Sequence, residues 1–394
     1  MRVAQVITDN RENFRQYQKK QPWFHAASEA LLQGFAMFPE VEVHVVSCTQ
    51  RPMPASPEKL AENIWFHSLL VPKIGWLRTG YQGCVRAVRQ KLRELQPDIV
   101  HGQGTERDCA LSAVFSGFPN VLTIHGNMVN VYRVYTRSLF HWCAARLEDL
   151  ALRRTSGVFC NSAYTESLVQ PRACRTWRVP NALRAAFLTE QQARPATDMP
   201  VIVNVGVISA HKRQLEVLEV AEELHRRGCR FRLHFIGGLS QKSAYGRKFT
   251  ERLQAAKQKA YADFTSHLEV SDLVRTLDGA HAMIHFPSEE SFGLVAAEAL
   301  ARNVKFFGAR VGGLVDIAER VDGAELFAAN SLNELTSSVE HWIRNGFPRP
   351  QGAAAAIRSR YHPKVVAETH IEIYQKLLRE VDCASAGTNP AQLT

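Results

Sequence analysis

What most restricts this chain is an alternation: a short apolar run, a turn, then a longer amphipathic stretch, over and over. Apolar runs too short for helices, followed by segments with 3.6-residue periodicity, are the signature of parallel strands covered on both faces by helices. In the first half the spacing predicts strands over Arg2–Thr8, Val41–Cys48, Ile64–Val71, Asp98–Gln103, Asn120–His125, Gly157–Asn161 and Thr176–Val179. It predicts helices over Ala26–Met37, Leu77–Leu95, Cys109–Phe115, Leu139–Arg154 and Thr165–Val169. After Pro180-Asn181 the pattern loosens, and residues 188–200 (LTEQQARPATDMP) are polar, hold two prolines and lack periodicity, as an interdomain linker does. The alternation then restarts. Strands are expected over Val201–Val207, Phe231–Gly237, Ala280–Phe286 and Val304–Phe307, with helices over Gln214–Arg227, Ala244–Tyr261, Phe292–Ala301 and Gly313–Glu319.

Length agrees with this division, because 394 residues exceed what one hydrophobic core serves. The expected organisation is a first Rossmann-like domain over 1–187, a linker over 188–200 and a second Rossmann-like domain over 201–364. A last helix, about 365–380, could pack on either domain, the first included. The tail from Ala384 is small and polar, and is expected to fray.

With 45% apolar and 22% charged residues the chain is neither disordered nor fibrous. No run approaches the ~20 apolar residues of a membrane span, and the first apolar run is too short for a signal peptide, so a cytoplasmic protein is expected. Eight cysteines show no C-x-x-C pair and no regular spacing, which argues for buried thiols rather than disulfides or zinc. Net charge is +10, unevenly spread: residues 1–190 hold 23 Lys and Arg against 15 Asp and Glu, the remainder 25 against 23. A basic first half points to an anionic partner or to plain solubility charge. The basic residues are spread over many strand–helix units and form no reader motif, so nucleic acid is not the expected partner.

Parallel sheets bind ligands beyond the carboxyl ends of their strands. After the strand ending at Phe286 comes Pro287-Ser-Glu-Glu-Ser-Phe-Gly-Leu-Val-Ala-Ala-Glu298, in which seven residues separate Glu290 from Glu298. If Glu290 opens the helix, Glu298 lies two turns on along the same face. Amides of Phe292, Gly293 and Leu294 would then be the unpaired donors of a helix start, a natural phosphate site.

This segment resembles the E-x7-E signature of retaining GT-B glycosyltransferases, family 4 in particular. Asp98-Ile-Val-His-Gly-Gln-Gly resembles its D-x-V-H-x-H strand and loop, with Gln103 in the second histidine slot. Thr123-Ile-His125-Gly, Val179-Pro-Asn-Ala182 and Gly312-Gly-Leu-Val-Asp316 resemble three further motifs, in the same order.

The resemblance implies a GT-B α/β fold, two Rossmann-like domains with parallel sheets facing across a cleft. The donor, a nucleotide-diphosphate-sugar, would lie mainly on the second domain, and a glycan, lipid-linked or small-molecule acceptor on the first. Carried over by position, Glu290 meets the donor sugar, Glu298 the ribose, and the backbone amides of Phe292, Gly293, Leu294 and Val295 the diphosphate, with Ser291 also on the donor-binding side. Gly206, Gly237, Lys212 and Arg213 complete the donor side, with Lys212 stabilising the leaving diphosphate. His125 would stand beside the reacting atoms, so that His125, Glu290 and Lys212 form the expected catalytic set, and His101 would lie on the acceptor side. Since no D-x-D occurs, transfer without metal or other cofactor is implied.

Three positions depart from the pattern. Val207 replaces an arginine expected to share the diphosphate with Lys212, and Ala182 replaces a glycine. The glycine-rich loop after the first strand gives way to residues 9–23 (DNRENFRQYQKKQPW), whose Arg11, Arg15, Lys19 and Lys20 could grip an anionic acceptor. The run Leu77–Leu95 has an apolar stripe flanked by five basic residues. It reads as a core-facing helix with solvated arginines, or as one lying on the cytoplasmic face of an anionic membrane. A nicotinamide enzyme is disfavoured because Arg107 occupies the third glycine of G-x-G-x-x-G. A nucleotide-sugar epimerase or phosphorylase of the same architecture, or a catalytically weak nucleotide-sugar binder, remains open.

Overall fold

The computed structural model describes residues 1–132, 138–191 and 197–385, the last four of these (382–385) by backbone alone. The chain divides into two compact units: Met1–Arg184 together with the segment from Pro363 on, and Ala185–His362.

The first unit is built on an eight-stranded sheet in the order β3-β4-β2-β1-β5-β6-β7-β8. Its strands are β1 (Arg2–Val6), β2 (Glu42–Thr49), β3 (Lys59–Ala61), β4 (Ile64–Leu70), β5 (Ile99–Gln103), β6 (Asn120–Ile124), β7 (Val158–Cys160) and β8 (Thr176–Arg178). All neighbours pair in parallel except β3, which runs antiparallel to β4 at the edge. Strands β1, β2, β5 and β6 are buried almost throughout, which is why they read as continuous apolar runs. The helices are α1 (Asn10–Asn13), α2 (Ala26–Phe35), α3 (Gln82–Leu95), α4 (Cys109–Val114), α5 (Met128–Asn130), α6 (Leu139–Leu152) and α7 (Ala163–Val169).

The second unit carries a six-stranded, wholly parallel sheet in the order β11-β10-β9-β12-β13-β14. These strands are β9 (Val201–Val205), β10 (Arg232–Ile236), β11 (Ala262–Thr265), β12 (Ala282–His285), β13 (Lys305–Ala309) and β14 (Ala324–Phe327). Its helices are α8 (Gln214–Arg226), α9 (Ala244–Gln258), α10 (Val270–Gly279), α11 (Leu294–Ala301), α12 (Leu314–Ala318), α13 (Leu332–Arg344) and α14 (Ala353–Tyr361). In α8 the buried Leu215, Leu218, Ala221 and Leu224 share one face while glutamates line the other. That face packs into a core around Phe235, Phe249, Phe286 and Phe307.

The last helix, α15 (Pro363–Ser385), belongs to the first unit. It crosses α2 so closely that a Cβ on Gly34 would lie 2.2 Å from the Pro363 carbonyl oxygen, so only glycine fits. Tyr374, Val366 and Leu377 seal the core on that side.

Several expectations change. The unit boundary falls at 184/185 rather than 187, and Ala185–Leu188 forms a 3-10 turn of the second unit. Its Phe187 is buried, and Arg302 donates to the carbonyls of Phe187, Thr189 and Glu190, so residues up to Glu190 are packed rather than linking. Residues 192–196 of the expected linker, and the tail from residue 386, lie outside the described residues. The helix expected over Leu77–Leu95 is two elements: Leu77–Thr79 is a 3-10 turn, Gly80 and Tyr81 take left-handed backbone, and α3 starts at Gln82. Its apolar face, Cys84, Val85, Val88 and Leu92, is spent on the core, and the outward face holds Arg86, Arg89 and Arg93. Among the described residues no helix is long and apolar enough to cross a membrane. Folding does gather Cys48, Cys84 and Asp108, all buried, within 4.8 Å of one another, a proximity the cysteine spacing does not reveal.

Candidate functional site

In the second sheet β9 and β12 are neighbours, but the chain leaves β9 toward β10 on one side and leaves β12 toward β13 on the other. The loops after these two strands therefore part around a crevice at the carboxyl edge, where open parallel sheets hold ligands.

The loop after β9 starts at Gly206, and glycine is needed there and at the end of β10. Gly237 has φ 150°, and a Cβ on it would lie 2.1 Å from the Gly206 carbonyl oxygen. Gln214, buried at the start of α8, fixes the loop from within: its Nε2 donates to the Val207 carbonyl and its Oε1 accepts the Ser209 amide. The Val207 side chain itself is 63% exposed. The second loop joins the first through the Ser288 amide, which donates to the His211 carbonyl at 2.9 Å.

Across this junction Lys212 Nζ donates to Glu290 Oε2 at 2.5 Å. The same oxygen lies 3.0 Å from His285 Nε2, at the last residue of β12. Burial by itself would raise the Glu290 carboxyl, but the His285 hydrogen bond and the Lys212 charge outweigh it and bring the pKa down to about 2. Glu290 is thus an anion, which can only accept, so His285 must carry its proton on Nε2. Burial also lowers the His285 pKa, against the pull of Glu290, and keeps the ring neutral. His285 is missed by sequence reasoning because it reads as one more residue of an apolar strand. Its one signal is a polar residue closing AMIH two positions before Pro287.

Glu290 does not open the helix. It sits in the preceding loop, Gly293 caps α11 in left-handed backbone at φ 102°, and the helix starts at Leu294. The first-turn amides of Leu294 and Val295 are the ones helix geometry leaves without intrahelical partners. Gly312 and Gly313 clamp this loop: Gly313 donates to the Glu290 carbonyl at 2.9 Å, and a Cβ on Gly312 would lie 1.8 Å from that oxygen. Phe292 is buried edge-on to Tyr361, and Glu298 is 4% exposed. Arg213 is turned to structural partners, donating to Glu216 and to the Ala329 carbonyl and lying over the Phe286 ring, so it does not share Glu290 with Lys212.

In the first unit two assignments to the acceptor side fail. Arg11 is fully buried, and its guanidinium is consumed by Asp9, the carbonyls of Lys19 and Lys20, and Ser56. It folds the loop after β1 and has no donor left for an acceptor. His101 is also fully buried, with Nδ1 2.5 Å from Tyr374 Oη and Nε2 2.7 Å from Thr123 Oγ1. Arg15, Lys19 and Lys20 are exposed, Lys19 over the Trp23 ring.

His125 follows β6. Burial, with smaller contributions from His25 and His370, takes its pKa down to about 3, so the ring is neutral. Its Nε2 meets Gln103 Oε1 at 3.1 Å, Gln103 donates to Gln5, and Gln5 to Tyr374 Oη. Gln103, standing in a histidine slot, therefore fixes His125 as the Nε2–H tautomer. Nδ1 is left as a hydrogen-bond acceptor with no partner among the described residues.

Two family models match in sequence order: "Glycosyltransferase Family 4" over residues 30–184 and "Glycosyl transferases group 1" over residues 188–360. No curated protein matches significantly. Among solved structures the chain is similar to sucrose-phosphate synthase from Thermosynechococcus elongatus, with a TM-score of 0.73 at 15% identity over 96% of this chain and 100% of that one. Anabaena HepE in complex with UDP and glucose gives a TM-score of 0.70 at 15% identity over 95% and 100%. The lipopolysaccharide outer core galactosyltransferase WaaB gives 0.68 at 15% identity over the same shares. At such identities the structures establish the fold alone, and together with the two family models they make this chain a GT-B glycosyltransferase of family 4-like type.

Proposed function

We propose that the protein moves a sugar from a nucleotide-diphosphate-sugar to a hydroxyl acceptor with retention at the anomeric carbon, and uses no metal or other cofactor. The observation that carries this reading is the Lys212–Glu290 contact at the switch point of the second sheet, beside the amino-terminal tip of α11. The tip and the Lys212 ammonium offer positive potential to a diphosphate. Glu290 Oε2 is held by two donors, and Oε1 accepts a hydroxyl of the donor sugar. Buried Glu298 takes the ribose. The anomeric C–O bond of the donor breaks, the acceptor oxygen bonds to the same face, and the departing phosphate takes the acceptor proton, with Lys212 stabilising its charge. His125 orients the acceptor.

Exposed Arg15, Lys19 and Lys20 favour an anionic or lipid-linked acceptor. With the outward arginines of α3 they also favour a cytoplasmic protein that touches an anionic membrane peripherally. HepE is described with UDP and glucose, so UDP-glucose heads the donor panel. The test is to incubate the pure protein with UDP-, GDP- and ADP-sugars and follow release of free nucleotide diphosphate. Turnover of one donor, abolished in Glu290→Ala with the fold intact, is expected. Binding without turnover would make the chain a nucleotide-sugar binder, as Val207 in the arginine slot allows. No binding at all would overturn the reading.

A further inference from the structure

The first sheet has its own switch point, between β1 and β5, and the loop after β5 carries a carboxyl that the roles above leave unused. Arg107 of that loop hydrogen-bonds Asn13, at the end of α1, so the two loops flanking the switch point are tied together. Next to it Glu106 lies half-buried. Its Oε1 accepts the Gly126 amide at 2.9 Å.

Two glycines make room for this carboxyl. A Cβ on Gly104 would lie 2.4 Å from Glu106 Oε2, and one on Gly126 would lie 3.0 Å from Oε1. The same Gly104 position is 3.7 Å from His125 Cδ2, so the carboxyl and the imidazole both pack against this glycine. On the other side of that ring His125 Nδ1 has no partner among the described residues. A carboxylate oxygen beside the imidazole, at the carboxyl edge of a switch point, suits a ligand that donates, as a sugar or alcohol hydroxyl does.

We propose that Glu106 binds the attacking hydroxyl of the acceptor, its Oε2 receiving the hydroxyl's hydrogen bond beside His125. The proposal rests on the sugar-transfer reading above and gives that reaction a residue on the acceptor side, where Arg11 and His101 proved structural. Burial raises the Glu106 carboxyl to about 7, Glu148 adds to the rise, and the amides of Gly126 and Thr105 oppose it. The charged and titratable groups around it are Glu148 on α6, itself paired with Arg172, Arg107, Asp108 and Cys109 in its own loop and the start of α4, and neutral His125. The carboxyl therefore changes charge near neutrality, and only its ionised form accepts from a hydroxyl without also donating.

The experiment is hydrolysis of UDP-, GDP- and ADP-sugars, in which water takes the acceptor's place, measured from pH 5 to 9 for the wild type, Glu106→Gln, Glu106→Asp and Glu290→Ala, with UDP binding followed by calorimetry. In the wild type the rate is expected to fall about tenfold per pH unit below about 7. Glu106→Gln should lose tenfold or more in kcat together with that acid limb, keep UDP affinity unchanged, and be partly rescued by aspartate with the limb restored. A purely structural role would not move the limb. A Glu106→Gln variant with wild-type rate and limb, while Glu290→Ala is inactive, overturns this proposal alone. A wild type that hydrolyses no donor overturns the reading beneath it as well.

Discussion

Lys212 and Glu290, 78 residues apart in sequence, meet with Nζ 2.5 Å from Oε2, and His285 reaches the same oxygen from the end of β12. One carboxylate oxygen thus joins the two loops of the switch point. On the function proposed above, a diphosphate arriving beside Lys212 would compete with Glu290 for the ammonium, and the His285 hydrogen bond would remain on the carboxylate as the lysine turned to its new partner.

Replacing Lys212 by alanine removes one of the two groups that oppose burial at Glu290. UDP affinity is expected to fall tenfold or more, which corresponds to about 1.4 kcal/mol or above. Lys212→Arg should recover part of it. Calorimetric titration with UDP measures both, and unchanged affinity in Lys212→Ala would take the lysine out of the site.

The pH dependence of stability follows from the same carboxylate. Its folded pKa of about 2 lies below the ordinary 4.5, so Glu290 contributes stability that is present above the unfolded value and is lost as pH falls from about 4.5 toward 2. The Tm difference between the wild type and Glu290→Gln is expected to be largest above pH 5 and to shrink steadily below it. With His285→Leu the carboxyl loses its neutral donor and its folded pKa rises toward 4.5, so the acid-linked loss of stability should be smaller and complete at a higher pH. Differential scanning calorimetry from pH 3 to 7 reads both effects, and identical pH profiles for the wild type and His285→Leu would contradict the assignment of the hydrogen bond.

Gly312 has φ 50°, and any Cβ on it strikes the Glu290 carbonyl oxygen at 1.8 Å. Gly312→Ala therefore adds displacement of the loop that holds Glu290 to left-handed strain, a cost of about 3 kcal/mol or more. Gly346→Ala is the control: φ is 80° but nothing lies within 4 Å, so only about 1 kcal/mol of backbone strain is expected. Urea unfolding compares the two, and UDP binding should weaken in the first alone.

Much of this architecture is legible in the sequence, for a physical reason. Strands buried on both faces, such as β1 and β9, must be apolar along their length, and helices such as α8 must show their inner face every three or four residues. Short or half-exposed elements carry no such mark, so β3 (KLA), β11 (ADFT) and β14 (AELF) are not foreseen. In the site, residues fixed by loop position are legible: Lys212 and Glu290 meet because they follow neighbouring strands. Residues whose fate depends on a distant partner are not. Arg11 reads as a basic lip residue until Asp9 and two carbonyls absorb it, and His101 as an acceptor-side histidine until Tyr374, 273 residues on, closes over it. His285 and Glu106 go unnoticed for the opposite reason, since nothing local distinguishes a strand-end histidine or a loop glutamate before the fold brings them to a crevice.

Tyr374 is where the last helix is locked to the first sheet, and it lies in one hydrogen-bonded chain with His125. Starting from the His125 Nε2–H, each side chain accepts from the one before and donates to the next: Gln103, Gln5, Tyr374 Oη, His101 and finally Thr123 Oγ1. Tyr374→Phe removes the link without changing the packing, leaving Gln5 Nε2 and His101 Nδ1 unpaired in the core. The expected loss is about 1–3 kcal/mol for each buried group that no water reaches. The loss should appear in urea unfolding of the first unit, with UDP affinity, which the proposed function assigns to Lys212 and α11 in the second unit, left intact. Turnover of the donor should fall modestly, because Gln103 then holds the His125 tautomer with one fewer restraint behind it. Stability unchanged within ~0.5 kcal/mol would show that the chain of bonds is not made.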